Sequence, residues 1–141
     1  MKIILDTNIW VSALFGKHLR DVAGLLGRQD IEVFVGKQLL TELQDVVCRD
    51  KIRKYISAES LDAMWDVIED YCSWVETEEA AQTEVRDRKD VYLLSMADAV
   101  QADFLVSGDK DLLVLGKHNG TSIITFSELR QILQALHNEA L

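Results

Sequence analysis

Apolar residues in this chain fall into five short runs, at 3–5, 31–35, 74–75, 104–106 and 122–125, rich in β-branched and aromatic side chains. Each run stops at polar residues or glycine, as strands do. Between the runs the spacing changes to three and four. Leu39, Leu40, Leu43, Val46 and Val47 share one helical face, as do Leu61, Met64, Trp65, Ile68, Tyr71 and Cys72. A last amphipathic helix carries Leu129, Ile132, Leu133 and Leu136. It is opened either by a capping box of Thr125 with Glu128 or by Ser127 alone as N-cap. Short, nearly all-apolar strands alternating with helices predict a parallel sheet covered on both faces. The reading is one three-layer α/β/α domain over residues 1–141, with about five strands.

Length supports this, since 141 residues can enclose a single core. The opening apolar run is cut short by Asp6, well before the length of a signal peptide, and no other stretch is long enough to span a membrane. Cys48 and Cys72 belong to no CxxC pair. The expectation is a cytoplasmic protein with two reduced cysteines and no membrane partner. Fifteen Lys and Arg against 24 Asp and Glu leave a net charge of −9, which argues against broad attraction to nucleic acid. One basic strip stands out, with Arg49, Lys51, Arg53 and Lys54 in residues 49–54. It is either a solvated helical face or a local contact for a polyanion.

In open α/β sheets, ligands bind beyond the carboxyl ends of the strands, where strand order reverses. Asp6 closes the first strand. Ser107, Gly108, Asp109 and Asp111 follow the fourth, Glu42 falls in the first turns of the helix after the second, and Asp90 stands just before the helix at 91–100. Each has an ordinary role open to it: Asx turns for Asp6 and Asp109, an N-cap for Asp90, a solvated position for Glu42. Gathered in one place, however, four carboxylates repel one another unless a cation lies between them. Neutralising one of them is then expected to leave the cation-free protein as stable as before, or more so. An all-oxygen ligand set suits Mg²⁺ or Mn²⁺, whereas His18, His118 and His137 lack the spacing of a zinc site. No Ser-His or Cys-His pairing and no Gly-rich phosphate loop is present, which leaves metal-assisted attack of water on a phosphate ester.

The order ILDTN, LLTELQDVVCRDKIRKY, RDRKDVYLLSMA and ADFLVSGDKDLL resembles the PIN domain, the metal-dependent ribonuclease fold of VapC-like toxins and RNA-processing nucleases. The resemblance runs to about Phe126. It implies strand order 3-2-1-4-5 and a catalytic set of Asp6, Glu42, Asp90 and Asp109, with Asp111 as a nearby alternative to Asp109 among the metal ligands. It also implies that Thr7, Asn8 and Ser107 orient or hydrate the metal site. Where many relatives of this subgroup read RDPDDD, this chain has Arg86-Asp87-Arg88-Lys89-Asp90-Val91. Lys89 there favours a single cation and offers a phosphate contact. RNA as substrate, a cognate antitoxin and a homodimer are the partners that follow from the likeness. Two other functions are consistent with parts of the pattern. One is a non-catalytic PIN-like module that binds RNA or protein; the other is a haloacid-dehalogenase-like phosphatase, in which Asn8 would stand where the acid/base Asp belongs.

Overall fold

The computed structural model describes residues 1–15, 19–77 and 88–139, and the side chains of all of these except 19, 20, 88–90, 138 and 139. His18, Arg86 and Asp87 therefore lie outside the described residues.

Strand β1 (Lys2–Leu5) pairs in parallel with β2 (Glu32–Val35) on one side and β4 (Phe104–Val106) on the other. Beyond β2 lies the two-residue edge strand β3 (Ser73–Trp74), and beyond β4 lies β6 (Thr121–Ile124), both parallel. The five expected strands thus take the expected order. A sixth strand, β5 (Lys117–His118), was not anticipated. It pairs antiparallel with β6 and gives the full order β3-β2-β1-β4-β6-β5. Its local cause is the Asn119-Gly120 loop between the paired residues His118 and Thr121, with Asn119 at φ 50°. Asn and Gly accept this backbone cheaply.

Ile3, Ile4 and Leu5 are wholly buried, consistent with a central strand covered on both faces. Helices α1 (Thr7–Phe15), α2 (Leu19–Leu26), α3 (Lys37–Val47) and α5 (Ala58–Tyr71) pack with one another, α1 touching each of the other three. The short α4 (Asp50–Arg53) follows α3. Helix α6 (Arg88–Val100) lies against β1 and β4 and buries Leu93, Met96 and Ala97. Leu39, Leu43 and Val47 of α3 and Met64 and Ile68 of α5 are buried, whereas Tyr71, expected on the inner face, is mostly exposed. Two further helices, α7 (Lys110–Leu113) and α8 (Phe126–Glu139), flank β5 and β6 in sequence.

The start of α8 resolves the choice left by the sequence. Thr125 Oγ1 accepts the Glu128 N–H at 3.1 Å, and Glu128 Oε1 accepts the Thr125 N–H at 3.3 Å, completing the capping box. Cys48 and Cys72 are free and cap the carboxyl ends of α3 and α5. Among the described residues, no helix is long and apolar enough to cross a membrane.

Candidate active site

A single residue, Asp6, separates β1 from α1. Its backbone serves both elements: the N–H donates to the Val106 carbonyl at 2.9 Å, and the carbonyl accepts from the Ile9 N–H at 3.0 Å. This double use fixes the side chain at the carboxyl edge of the sheet, between the neighbouring strands β1 and β4. The residue is fully buried. Burial of a carboxylate is tolerable only with hydrogen bonds to its charge. Oδ1 accepts from the Thr7 N–H at 2.6 Å, and Oδ2 accepts from the Ser107 hydroxyl at 2.7 Å and the Asn8 amide at 3.3 Å.

Those donors also tie the loops together. The Ser107 hydroxyl oxygen accepts the Asp109 N–H at 3.0 Å, and Asn8 Oδ1 accepts the Gly108 N–H at 3.2 Å. The strand-to-helix junction after β1 and the loop after β4 are therefore held as one piece.

Glu42 reaches this region from the second turn of α3 and is partly buried. The Tyr92 hydroxyl, from α6, donates to its Oε2. With that proton committed to Glu42, the Thr7 hydroxyl, 3.5 Å away, is the donor to Tyr92. A chain of polar contacts thus runs from Glu42 through Tyr92 to Thr7, whose N–H holds Asp6. Burial above all, and then the adjacent Glu42 carboxylate, push the Tyr92 phenol far above its ordinary range, so it stays a neutral donor.

The other expected acids sit differently. Asp109 is the N-cap of α7, its Oδ1 accepting the Asp111 N–H at 2.9 Å, so its capping role is real. Asp111 is exposed in the first turn of α7. Asp90 is the third residue of α6 rather than the residue before it, which removes the N-cap reading. The side chains of Asp90 and Lys89 lie outside the described residues. Among the described residues, no group of three or more His, Cys, Asp or Glu is gathered closely enough to hold a metal ion. Asp6, Glu42, Asp109 and Asp111 do not form such a group by themselves, and the side chain of the fourth expected acid, Asp90, lies outside the described residues. Polar spacers intervene: Ser107 stands between Asp6 and the Asp109 backbone, and Tyr92 with Thr7 stands between Glu42 and Asp6.

The donor types still suit a hard cation. Asp6, Glu42 and Asp109 present oxygen alone, and Mg²⁺ is commonly held by one or two carboxylates with water and substrate phosphate rather than by an all-protein cage. The basic strip forms an exposed surface, with Arg49, Lys51, Arg53 and Lys54 in and around α4. Arg49 is engaged by Asp45 at 3.1 Å.

Against known proteins, residues 2–111 match the PIN domain. The chain belongs to the PIN-domain family. The matched segment spans β1 to the start of α7 and includes Asp6, Glu42, Asp90, Asp109 and Asp111. Comparison with curated proteins gave no significant match. PIN domains are generally nucleases and typically use divalent metals, so a nuclease-type fold is the family-level reading. The residue that sequence reasoning passed over in this PIN domain is Tyr92. Its hydroxyl gave no signal, because the apolar segment at 91–100 accounts for a Tyr as core packing.

Proposed function

We propose that this PIN domain is a Mg²⁺- or Mn²⁺-dependent endoribonuclease, acting in the cytoplasm as the toxin of a toxin–antitoxin pair. The observation that carries the reading is Asp6, a fully buried carboxylate at the switch point, oriented through both oxygens by Thr7, Asn8 and Ser107. Asp6, Asp90 and Asp109, with Asp111 nearby, would hold the cation. When bound, the cation supplies Lewis-acid polarisation of the phosphate and a more acidic water.

The chain's own groups have separable tasks. Thr7, Asn8 and Ser107 hold the Asp6 carboxylate in place. Glu42, oriented by Tyr92, takes the proton of the attacking water. Lys89 and the residues Arg49, Lys51, Arg53 and Lys54 offset the unfavourable net charge by contacting RNA phosphates. A homodimer and a small DNA-binding antitoxin are the proposed protein partners. Growth arrest on expression, relieved by co-expression of a small protein from the adjacent reading frame, tests the toxin role.

The enzyme reading is tested by cleavage of single-stranded RNA with and without chelator, alongside Asp6→Asn. Metal-dependent cleavage abolished in the variant supports it. The competing reading is a non-catalytic PIN module that binds RNA. RNA bound but never cut, with any added divalent ion, would establish that module instead.

A further inference from the structure

A groove of about 750 Å³ opens between the start of α3 and the edge strand β3, within the roughly 300–1,000 Å³ range of small-ligand pockets. It is lined by Lys37, Gln38, Glu42, Trp74, Glu76 and Met96, with Gly36 and Val75 at the strand ends. Gly36 suits a small residue, since a Cβ there would lie 3.0 Å from the Val75 carbonyl oxygen, a tight contact, and 3.6 Å from the Met96 methyl. Glu42 lines this groove and also makes the Tyr92 contact of the candidate active site. Groove and site are therefore continuous.

Trp74 is 52 % exposed on a strand of two residues and lines the groove, so its indole offers an accessible aromatic surface there. We propose that the groove is a nucleobase subsite in which a base flanking the cleaved phosphodiester stacks on the Trp74 indole. This rests on the ribonuclease reading and names a substrate contact for it. The charges select the base rather than its phosphate. Glu42, Asp45 and Glu76 all line the groove, with Lys37 beside them among the described residues. Three carboxylates disfavour a phosphate there and attract a base edge carrying N–H donors.

Asp45 is engaged by Arg49 and Glu42 by Tyr92, which makes exposed Glu76 the reader. Guanine offers one carboxylate two parallel donors, N1–H and the exocyclic amine. Uracil offers one N–H between two carbonyls that a carboxylate repels. Guanine is therefore preferred over uracil at this position.

The experiment compares steady-state cleavage of short single-stranded RNAs carrying G or U beside the cut, by parental protein, Trp74→Ala, Trp74→Phe and Glu76→Gln. Thermal melts show that each variant is folded. Stacking on an aromatic is commonly lost on alanine substitution with a cost that corresponds here to about a ten-fold rise in KM, kcat being nearly unchanged. Trp74→Phe restores most of that loss, and Glu76→Gln reduces the preference for G. If the parental chain binds RNA without cutting it, the same ratios are read in dissociation constants, and the subsite stands although the enzyme reading falls. Parental KM and base preference in folded Trp74→Ala would overturn the subsite and leave the enzyme reading intact. No binding of RNA by the parental protein would overturn both.

Discussion

The Ser107 hydroxyl donates to Asp6 Oδ2 at 2.7 Å while its oxygen accepts the Asp109 N–H at 3.0 Å. One buried side chain therefore sets the position of two acids that come from loops a hundred residues apart in the sequence. The first is a short, charge-assisted bond. Together they make the loop after β4 part of the Asp6 environment.

Ser107→Ala removes both bonds with little change of volume. Loss of such a supporting partner typically costs about 10–100-fold in metal affinity or activity. The expected outcome is a fall of that size in metal-dependent cleavage, with apparent Mn²⁺ affinity weakened in parallel. Titration of activity against Mn²⁺ checks it, and parental values would remove Ser107 from the site.

Asp6→Asn is expected to abolish activity and also to destabilise the fold. Like-charge crowding, argued from sequence, pointed to the opposite sign for stability. The observed donors reverse it: Thr7 and Asn8 offer N–H groups and Ser107 an O–H, and an Asn amide facing them leaves at least one donor opposite another. A buried polar group left unsatisfied costs about 1–3 kcal/mol. Chemical denaturation without metal measures this, and an unchanged midpoint would restore the repulsion argument.

Asp109 separates two roles within one residue. Asp109→Asn preserves the N-cap of α7, because Asn caps as well as Asp, whereas Asp109→Ala loses about 1 kcal/mol. If Asp109 is also a cation ligand, both variants lose activity and only the alanine variant loses stability. Full activity in Asp109→Asn would assign the residue to capping alone.

Tyr92→Phe keeps the packing of α6 but withdraws the donor from Glu42. Cleavage should fall and its pH profile should shift, since the proposed base loses the group that orients it. The phenol also bears on alkaline stability. Its folded-state pKa is raised, so the stabilisation is complete below the ordinary value of 10.0 and is lost as pH rises above it. Tyr92→Phe should therefore flatten the alkaline fall in melting temperature. An identical fall in both proteins would show that Tyr92 does not control it.

The two cysteines differ in chemistry. Burial pushes the Cys72 thiol up from 9.0 to about 12, whereas Cys48 is exposed. Thiolate is the reactive form, so a limiting alkylating reagent at pH 8 should label Cys48 well before Cys72. The same shift gives stability that is full below pH 9.0 and declines as pH approaches 12. Peptide mass spectrometry after brief labelling reads the order directly.

What the sequence disclosed, it disclosed through period and strand-end position. Four of the five runs became strands with buried residues, which leave a clear apolar signature, and Asp6 was legible as the charge that closes the first of them at the carboxyl edge of the sheet. The hairpin strand β5 carried too little signal at two residues, although Asn119-Gly120 marks its turn. Tyr71 misled because its place on the helical face at the end of α5 faces water, not core. The relation between the acids was beyond the one-dimensional pattern altogether. Whether carboxylates touch or are held apart depends on which hydroxyls the fold inserts between them, and Ser107 and Tyr92 come from segments whose partners are distant in the chain.

The sheet ends at both sides in strands of only two residues, β3 and β5. Unpaired backbone N–H and C=O groups on a sheet margin are a template for another chain, and the danger grows with the length of the exposed ladder. Among the described residues each outermost strand is only two residues long, which keeps short the ladder it offers to a strand of another chain.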